Sequence, residues 1–193
     1  RVTAPAVEVL IYPVDKIYNG APAVWGDEDY EILSLPEGLT LELDVRILMD
    51  IGILTLSDLN LNASGYVTYR VLKDGRDVTA QYPLVFKLPE GLEELPVLTV
   101  KPRALELTAA SETRVDDGNP LSNPAVYISK GSLATGHTLE AAAEGTLQGT
   151  GTVINRVVSE RVVIRDASGR DVTRNYSLSY IDGSLTLIPA QED

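Results

Sequence analysis

The sequence predicts an all-β fold built from two small modules in tandem. Runs of alternating apolar and polar side chains have the two-residue period of half-buried strands. Apolar residues make up 44% of the chain, and the β-branched and phenolic residues among them favour sheets. A long internal repeat indicates that one folding unit occurs twice.

The repeat appears when the sequence is compared with itself. The phrase DGRDVTAQY at residues 74–82 recurs as SGRDVTRNY at residues 168–176. Residues 38–42 align with 136–140, and the closing segments 98–102 and 185–189 also align. Because the matches keep their order and differ only by small changes in length, we predict a first module over residues 1–101 and a second over residues 102–193.

Strands are predicted on both sides of each repeated phrase. Residues 66–72 and 161–165 alternate before it. Tyr176, Leu178 and Tyr180 alternate after it, and Asp182-Gly183 predicts a hairpin turn. In the first module Pro83 lacks an N–H, which predicts an edge strand.

Two further segments are predicted from the alignment and from turn chemistry. Ala and Glu in TLEAAAEGT, residues 138–146, favour a helix. Its aligned partner TLELDVRIL, residues 40–48, alternates like a strand, so we expect strands in both modules. Asn19-Gly20 and Asp117-Gly118 predict turns, since glycine tolerates positive φ.

The repeated phrase itself predicts a corner. Asp77 or Asp171 can accept backbone hydrogen bonds as an Asx turn, with a threonine two residues later. Tyr82 or Tyr176 then starts the next strand, as in the tyrosine corner of immunoglobulin-like sandwiches. We therefore predict two small Ig-like β-sandwich modules, with a β-grasp-like variant as the alternative.

Charge and composition exclude several classes of partner and site. Lys and Arg number 16 against 28 Asp and Glu, which gives a formal charge of −12. Binding to nucleic acid or to anionic lipid is therefore disfavoured. Apolar runs are too short to insert into a membrane, and the lack of cysteine excludes disulfides and thiolate sites. The chain opens on Arg1, so we interpret it as part of a longer protein.

The motifs together resemble the MBG/YDG-type tandem repeats of bacterial cell-surface, adhesin-like proteins. The second module carries the markers in order as VDDGNP, GHTL, GRDVTRNY and GSLTLIP, and the first carries KIYNG, GRDVTAQY and LTVKP. Asp116 stands where the family usually has tyrosine. The resemblance implies an extracellular, cell-wall or cell-surface segment without catalysis or cofactor, whose partners are neighbouring repeats.

One cluster in the first module is a candidate binding site. In WGDEDYE, residues 25–31, Asp27 and Asp29 would share one strand face, and Trp25 and Tyr30 could stack on a sugar. The second module has no equivalent cluster, as expected for a site added to one copy. The alternative is that Trp25 caps the core and the acids are solvated.

The other polar residues favour structural roles. His137 is the only histidine, and we interpret it as a strand residue. Asp116, Asp117 and Asn119 offer oxygens for calcium, but turn chemistry explains them as well, and we expect no metal. A crosslink from Lys16 is a weaker alternative. The sequence thus predicts a non-catalytic spacer, or else a module that binds a glycan or a host surface protein.

Overall fold

The structure, a computed structural model, describes residues 5–191. About half of the chain is β-strand, and the one α-helix in the described part, α1, spans only Leu56–Leu61. The prediction of an all-β fold is confirmed. Within the described residues no helix is long and apolar enough to cross a membrane.

The chain divides into two compact units, Arg1–Lys101 and Pro102–Asp193, called the first and second unit below. The strands of the first unit are β1 (Val7–Ile11), β2 (Val14–Ile17), β3 (Ala23–Trp25), β4 (Tyr30–Ser34), β5 (Leu39–Ile47), β6 (Gly52–Leu54), β7 (Val67–Lys73), β8 (Arg76–Asp77), β9 (Leu84–Lys87) and β10 (Leu98–Lys101).

The strands of the second unit are β11 (Arg103–Ala109), β12 (Glu112–Val115), β13 (Val126–Gly131), β14 (Thr138–Glu140), β15 (Ala143–Glu144), β16 (Gly151–Val157), β17 (Val163–Arg165), β18 (Tyr176–Ile181) and β19 (Gly183–Ile188).

Both units join their first and last strands in parallel. In the first unit β1 pairs with β9, and β2 pairs with β10. In the second unit β11 pairs with β18, and β12 pairs with β19. The initial strand of each unit thus changes sheets part-way along, from β1 to β2 or from β11 to β12. In the second unit the final strand does the same from β18 to β19, whereas residues 88–97 separate β9 from β10 in the first unit.

Antiparallel pairs complete the sheets. The strand orders in the first unit are β4-β1-β9, β2-β10-β6 and β3-β5-β7-β8. Those in the second unit are β13-β11-β18, β12-β19-β16-β15 and β14-β17. Because β9 is an edge strand, the interpretation of Pro83 is confirmed.

The cores follow the two-residue period of the strands. Val7, Val9 and Ile11 of β1 are fully buried while the residues between them are half-exposed. In the second unit Leu185 and Leu187 of β19 pack with Leu121. Buried and exposed residues alternate because each strand has one face against its own core.

The predicted hairpin at Asp182-Gly183 is wrong. β18 and β19 do not pair with each other but follow one another along β11 and β12. Gly183 does not have positive φ. A Cβ on Gly183 would lie 2.2 Å from the carbonyl oxygen of Ala110. Glycine is therefore needed for close approach of two backbones and not for a turn.

The alanine-rich segment forms no helix, as the alignment predicts. Its residues contribute β14 and β15, and the aligned segment of the first unit forms β5. The helix α1 was not predicted. The sequence does contain one signal for it, a capping box in which Thr55 and Asp58 bond to each other's backbone N–H.

The repeated phrase builds the predicted Asx turn in both units. Asp77 Oδ1 accepts the N–H of Thr79 at 2.9 Å, and Asp171 Oδ1 accepts the N–H of Thr173 at 3.0 Å. Each turn leads into a short 3-10 turn, Thr79–Gln81 or Thr173–Asn175. The side chain of aspartate thus fixes where the chain leaves the preceding strand.

The threonines of the phrase attach the corner to the strand that precedes it. Thr79 Oγ1 accepts the N–H of Val71 at 2.9 Å, and Thr173 Oγ1 accepts the N–H of Ile164 at 2.8 Å. Both donors belong to strands, β7 and β17. The hydroxyl therefore satisfies a strand N–H at the point where the chain turns.

Candidate functional site

Trp25, the central residue of the candidate cluster, lies in the core of the first unit. Its side chain is only 3% exposed, and β3 places it opposite Val45 of β5. The indole Nε1 donates to the carbonyl oxygen of Tyr12 at 3.1 Å. An indole enclosed in this way has no free face for a sugar, so the structure supports the alternative that Trp25 caps the core.

The acidic residues after Trp25 form a turn between β3 and β4. Asp29 donates its N–H to the carbonyl of Gly26, and Asp29 Oδ2 accepts the N–H of Gly26 at 2.8 Å. Asp27 and Asp29 therefore do not share a strand face, and that part of the prediction is wrong. The reason is that β3 ends at Trp25.

Tyr30 begins β4 and is half-buried. Its hydroxyl donates to Asp27 Oδ1 at 3.2 Å. Burial, followed by this hydrogen bond, raises the pKa of Tyr30 above its ordinary value. The turn thus offers a solvated Asp27 beside one edge of a phenol, and ligand binding by these residues stays a prediction.

The calcium candidate in the second unit is arranged around a guanidinium group. Arg114 Nη1 donates to Asp117 Oδ1 at 2.6 Å, and Nη2 donates to the carbonyl oxygens of Asn119 and Pro120 at 2.9 and 3.0 Å. Asp116 Oδ1 accepts the N–H of Gly118. These oxygens are therefore oriented toward arginine or toward backbone N–H groups.

The homologous turn of the first unit is held by a lysine. Lys16 is the third residue of β2, as Arg114 is of β12, and its Nζ donates to the carbonyl oxygen of Ala21. Asn19 Oδ1 accepts the N–H of Ala21 at 3.0 Å. A cation from the preceding strand therefore binds the turn in both units.

His137 precedes β14 and contacts the tyrosine of the repeated phrase. Nδ1 lies 2.7 Å from the hydroxyl oxygen of Tyr176, and the two rings meet edge to face. The N–H of Ala134 also donates to this hydroxyl, at 3.0 Å. The predicted tyrosine corner is thus a bond to a residue 42 positions earlier and not to one nearby.

Two asparagines near the end of α1 form contacts that sequence reasoning missed. Asn60 donates through Nδ2 to the carbonyl of Phe86 and accepts the N–H of Phe86 through Oδ1. Asn62 binds the N–H and carbonyl of Val67 in the same manner. Each side-chain amide makes the two backbone hydrogen bonds that a neighbouring strand would make at one residue. Asn60 in this way covers the outer edge of β9.

A groove of about 230 Å³ lies beside these two asparagine side chains. Its lining includes Leu59, Tyr69, Pro83 and Phe86. The amides of Asn60 and Asn62 also line it, but their polar atoms already bind strand backbone. The groove therefore combines apolar side chains with amide groups that are already hydrogen-bonded.

A buried amide in the second unit was also missed. Asn155 of β16 is fully buried, and its Nδ2 donates to the carbonyl oxygens of Ala110 and Asn123 at 2.9 and 2.8 Å. Oδ1 has no hydrogen-bond partner among the described residues, and a Cβ on Gly145 would lie 2.8 Å from it. Only glycine at position 145 therefore leaves room for this amide.

The polar residues of the described part form no cluster of metal-ligand type. Across residues 5–191 no three His, Cys, Asp or Glu side chains gather in a way that could hold a metal ion. The polar contacts described above mostly tie side chains to backbone at strand ends and turns. Their common chemical effect is to hold the fold.

Comparisons with family models, with curated protein sequences and with solved structures find no match to this chain.

Proposed function

We propose that this chain is a non-catalytic spacer segment of a bacterial cell-surface, adhesin-like protein, in which each unit carries load between its two ends. The observation that carries the proposal is the parallel pairing of first and last strands in both units. The motifs that resemble MBG/YDG-type repeats support the extracellular, cell-wall or cell-surface setting.

Parallel terminal strands separate the entry and the exit of each unit. In the second unit Arg103 pairs with Tyr176 at one end, and Val115 pairs with Ile188 at the other. No turn or bend interrupts residues 103–115. At about 3.3 Å per residue, the chain enters and leaves this unit on the order of 40 Å apart.

This geometry distributes an applied load. Tension pulls the first strand backward and the last strand forward, along their common direction. The hydrogen bonds between parallel strands run across that direction, so they are sheared together and not opened one at a time. Resistance to force depends on the unfolding rate, which such an arrangement lowers.

The finer fold assignment belongs to the same proposal. We infer an Ig-like sandwich for each unit, because the initial strand passes from one sheet to another at residues 12–13 and 110–111 without a turn. Strands that switch sheets are typical of packed sandwiches. A β-grasp-like variant would share the parallel terminal strands, but α1 occurs in the first unit alone among the described residues.

Binding of a glycan or a host protein remains the alternative. It would depend on Trp25, Asp27, Asp29 and Tyr30, and the enclosed indole weakens it. Titration with glycans that leaves the fluorescence of Trp25 unchanged is the expected result. A saturable change in that fluorescence would favour the alternative.

Single-molecule force spectroscopy tests the spacer proposal. The whole chain is pulled by its termini, and we expect two unfolding events, one for each unit. As a matched control, the cysteine-free chain is given handles at Ala104→Cys and Ser177→Cys, which are Cα partners in β11 and β18. Load at these paired positions opens hydrogen bonds one after another.

The two pulling directions give opposite expectations for the second unit. Terminal load should require a clearly higher unfolding force than load across Ala104 and Ser177. Equal forces in the two directions would show that the parallel strands are not loaded in shear, and would overturn the proposal.

A further inference from the structure

Asn19-Gly20 is the only Asn-Gly pair in the sequence, and it occupies an exposed turn after β2. Gly20 has a φ of 71° and no side chain to hinder its nitrogen. Asn19 is exposed, and its side chain has one described bond, to the N–H of Ala21. These features are those of an asparagine whose amide can be attacked by the next backbone nitrogen.

The second unit shows what an aspartate does at the same place. Asp117-Gly118 has the same turn, with a φ of 83° at Gly118. Asp117 Oδ1 accepts the N–H of Asn119 at 2.9 Å, as Asn19 does from Ala21, and it also binds Arg114 at 2.6 Å. A carboxylate is therefore compatible with this turn.

The first unit already holds the cation that such a carboxylate would need. Lys16 stands where Arg114 stands and reaches the carbonyl of Ala21, in the turn that Asn19 begins. Partial burial lowers the pKa of Lys16, because it removes part of the water around the charge. A carboxylate at position 19 would stabilise the charged form of Lys16 through a charged hydrogen bond.

We propose that Asn19 is a site of spontaneous deamidation, and that its aspartate product adopts the arrangement seen at Asp117 with Lys16 as its ion-pair partner. The modification would give the turn of the first unit an ion pair like the one between Arg114 and Asp117, which the second unit has from its sequence. It does not depend on the spacer function.

The reaction needs only water. The backbone nitrogen of Gly20 bonds to Cγ of Asn19, the Cγ–Nδ2 bond breaks, and ammonia leaves with the proton from the Gly20 nitrogen. Water then adds to the cyclic imide at Cγ, the bond from Cγ to the Gly20 nitrogen breaks, and that nitrogen regains a proton. Attack of water at the other carbonyl would instead give isoaspartate.

Peptide mapping by mass spectrometry tests the reaction in the intact chain. After incubation in mildly alkaline buffer, we expect the peptide containing Asn19 to gain the mass of an NH₂-to-OH exchange, with normal aspartate and isoaspartate both formed from the imide. Asn19→Gln should lose this shift, because a longer side chain forms the imide poorly. Asn119 and Asn123 serve as internal controls, since each precedes a proline, which has no N–H to attack.

A second measurement tests the product separately. Asn19→Asp should keep or raise the thermal midpoint of the first unit, followed by Trp25 fluorescence, and Lys16→Met should abolish any gain. The proposal is overturned if the folded chain stays unmodified while the denatured chain converts, if no normal aspartate forms in the folded chain, or if Asn19→Asp lowers the midpoint.

Discussion

The hydroxyl of Tyr176 joins His137 to the corner of the second unit, with 2.7 Å between the phenol oxygen and Nδ1. The same oxygen accepts the N–H of Ala134 at 3.0 Å. Tyr176 is 6% exposed, so these bonds form away from water. In the first unit Pro36 and Leu39 stand at the positions of Ala134 and His137, and Pro36 has no N–H to donate.

Replacing this tyrosine should therefore affect the two units differently. Tyr176→Phe removes the acceptor of a buried N–H, and we expect the free energy of unfolding of the second unit to fall by about 1–3 kcal/mol. Tyr82→Phe is the matched control and should cost the first unit much less. Calorimetry that resolves the two transitions measures both effects.

Hydrogen exchange gives an independent check of the same bond. In Tyr176→Phe the N–H of Ala134 should lose protection relative to other amides of the second unit. Equal losses of stability in the two variants would show that the hydroxyl of Tyr176 is not the determinant.

Sequence reasoning succeeded where one strand face is buried and where a turn has its own chemistry. Alternation located β7 and β18, and Asp77 and Asp171 formed the expected turns. Sequence reasoning failed where two backbone segments that are far apart in the sequence lie against each other. Gly183 follows an aspartate, and Asp-Gly is typical of a hairpin turn. Glycine is needed at this position because the backbone at the end of β11, more than 70 residues earlier, lies against it. No local sequence pattern contains that information.

The close approach at Gly183 leads to a second prediction. A Cβ there would meet the carbonyl oxygens of Ala110 and Ala109 at 2.2 and 2.6 Å, and backbone cannot yield as a flexible side chain does. Gly183→Ala should destabilise the second unit by about 1–3 kcal/mol. Ser184→Ala, at the next and exposed position, is the control and should be nearly neutral in thermal unfolding.

A turn at Asp182-Gly183 would give a different result. If the glycine served only to allow a turn, adding a methyl group at a position without positive φ would have little effect. A neutral Gly183→Ala variant would thus contradict the close approach of the two backbones.

The candidate site was less predictable than the strands. Composition identified Trp25, Asp27, Asp29 and Tyr30 as unusual, but it did not indicate which side of β3 faces the core. The local sequence also does not show which asparagines bind the backbone of a distant strand. Asn60 reaches β9, 26 residues later along the chain, and its sequence neighbours do not indicate that partner.

The buried amide of Asn155 gives a third prediction. Its Nδ2 is the donor for two carbonyl oxygens, those of Ala110 and Asn123. Asn155→Leu leaves both oxygens without this donor, and we expect a loss of about 1–3 kcal/mol in the second unit. Asn155→Asp should be worse at neutral pH, because it places a carboxylate against two carbonyl oxygens. Denaturant titration would contradict this if the aspartate variant matched the wild type.

The acid stability of the second unit gives the last prediction. Asp166 Oδ1 accepts hydrogen bonds from the hydroxyl and N–H of Ser168 and from the N–H of Arg170. The hydroxyl of Ser168 is the largest of the influences that lower the pKa of Asp166 from 3.8 to about 2, and the backbone N–H of Arg170 adds to it.

The direction in which stability changes with pH follows from the lowered pKa of Asp166 in the folded state. Above pH 3.8 Asp166 is ionised in both states, and its stabilising contribution is complete. As the pH falls from 3.8 toward about 2, the unfolded chain binds the proton first, so protonation favours unfolding and the contribution is lost. Thermal midpoints measured across this interval should fall less steeply for Asp166→Asn than for the wild type, because the variant has no proton to bind at that position. Parallel curves for the two proteins would show that the turn at Asp166 does not contribute to acid sensitivity.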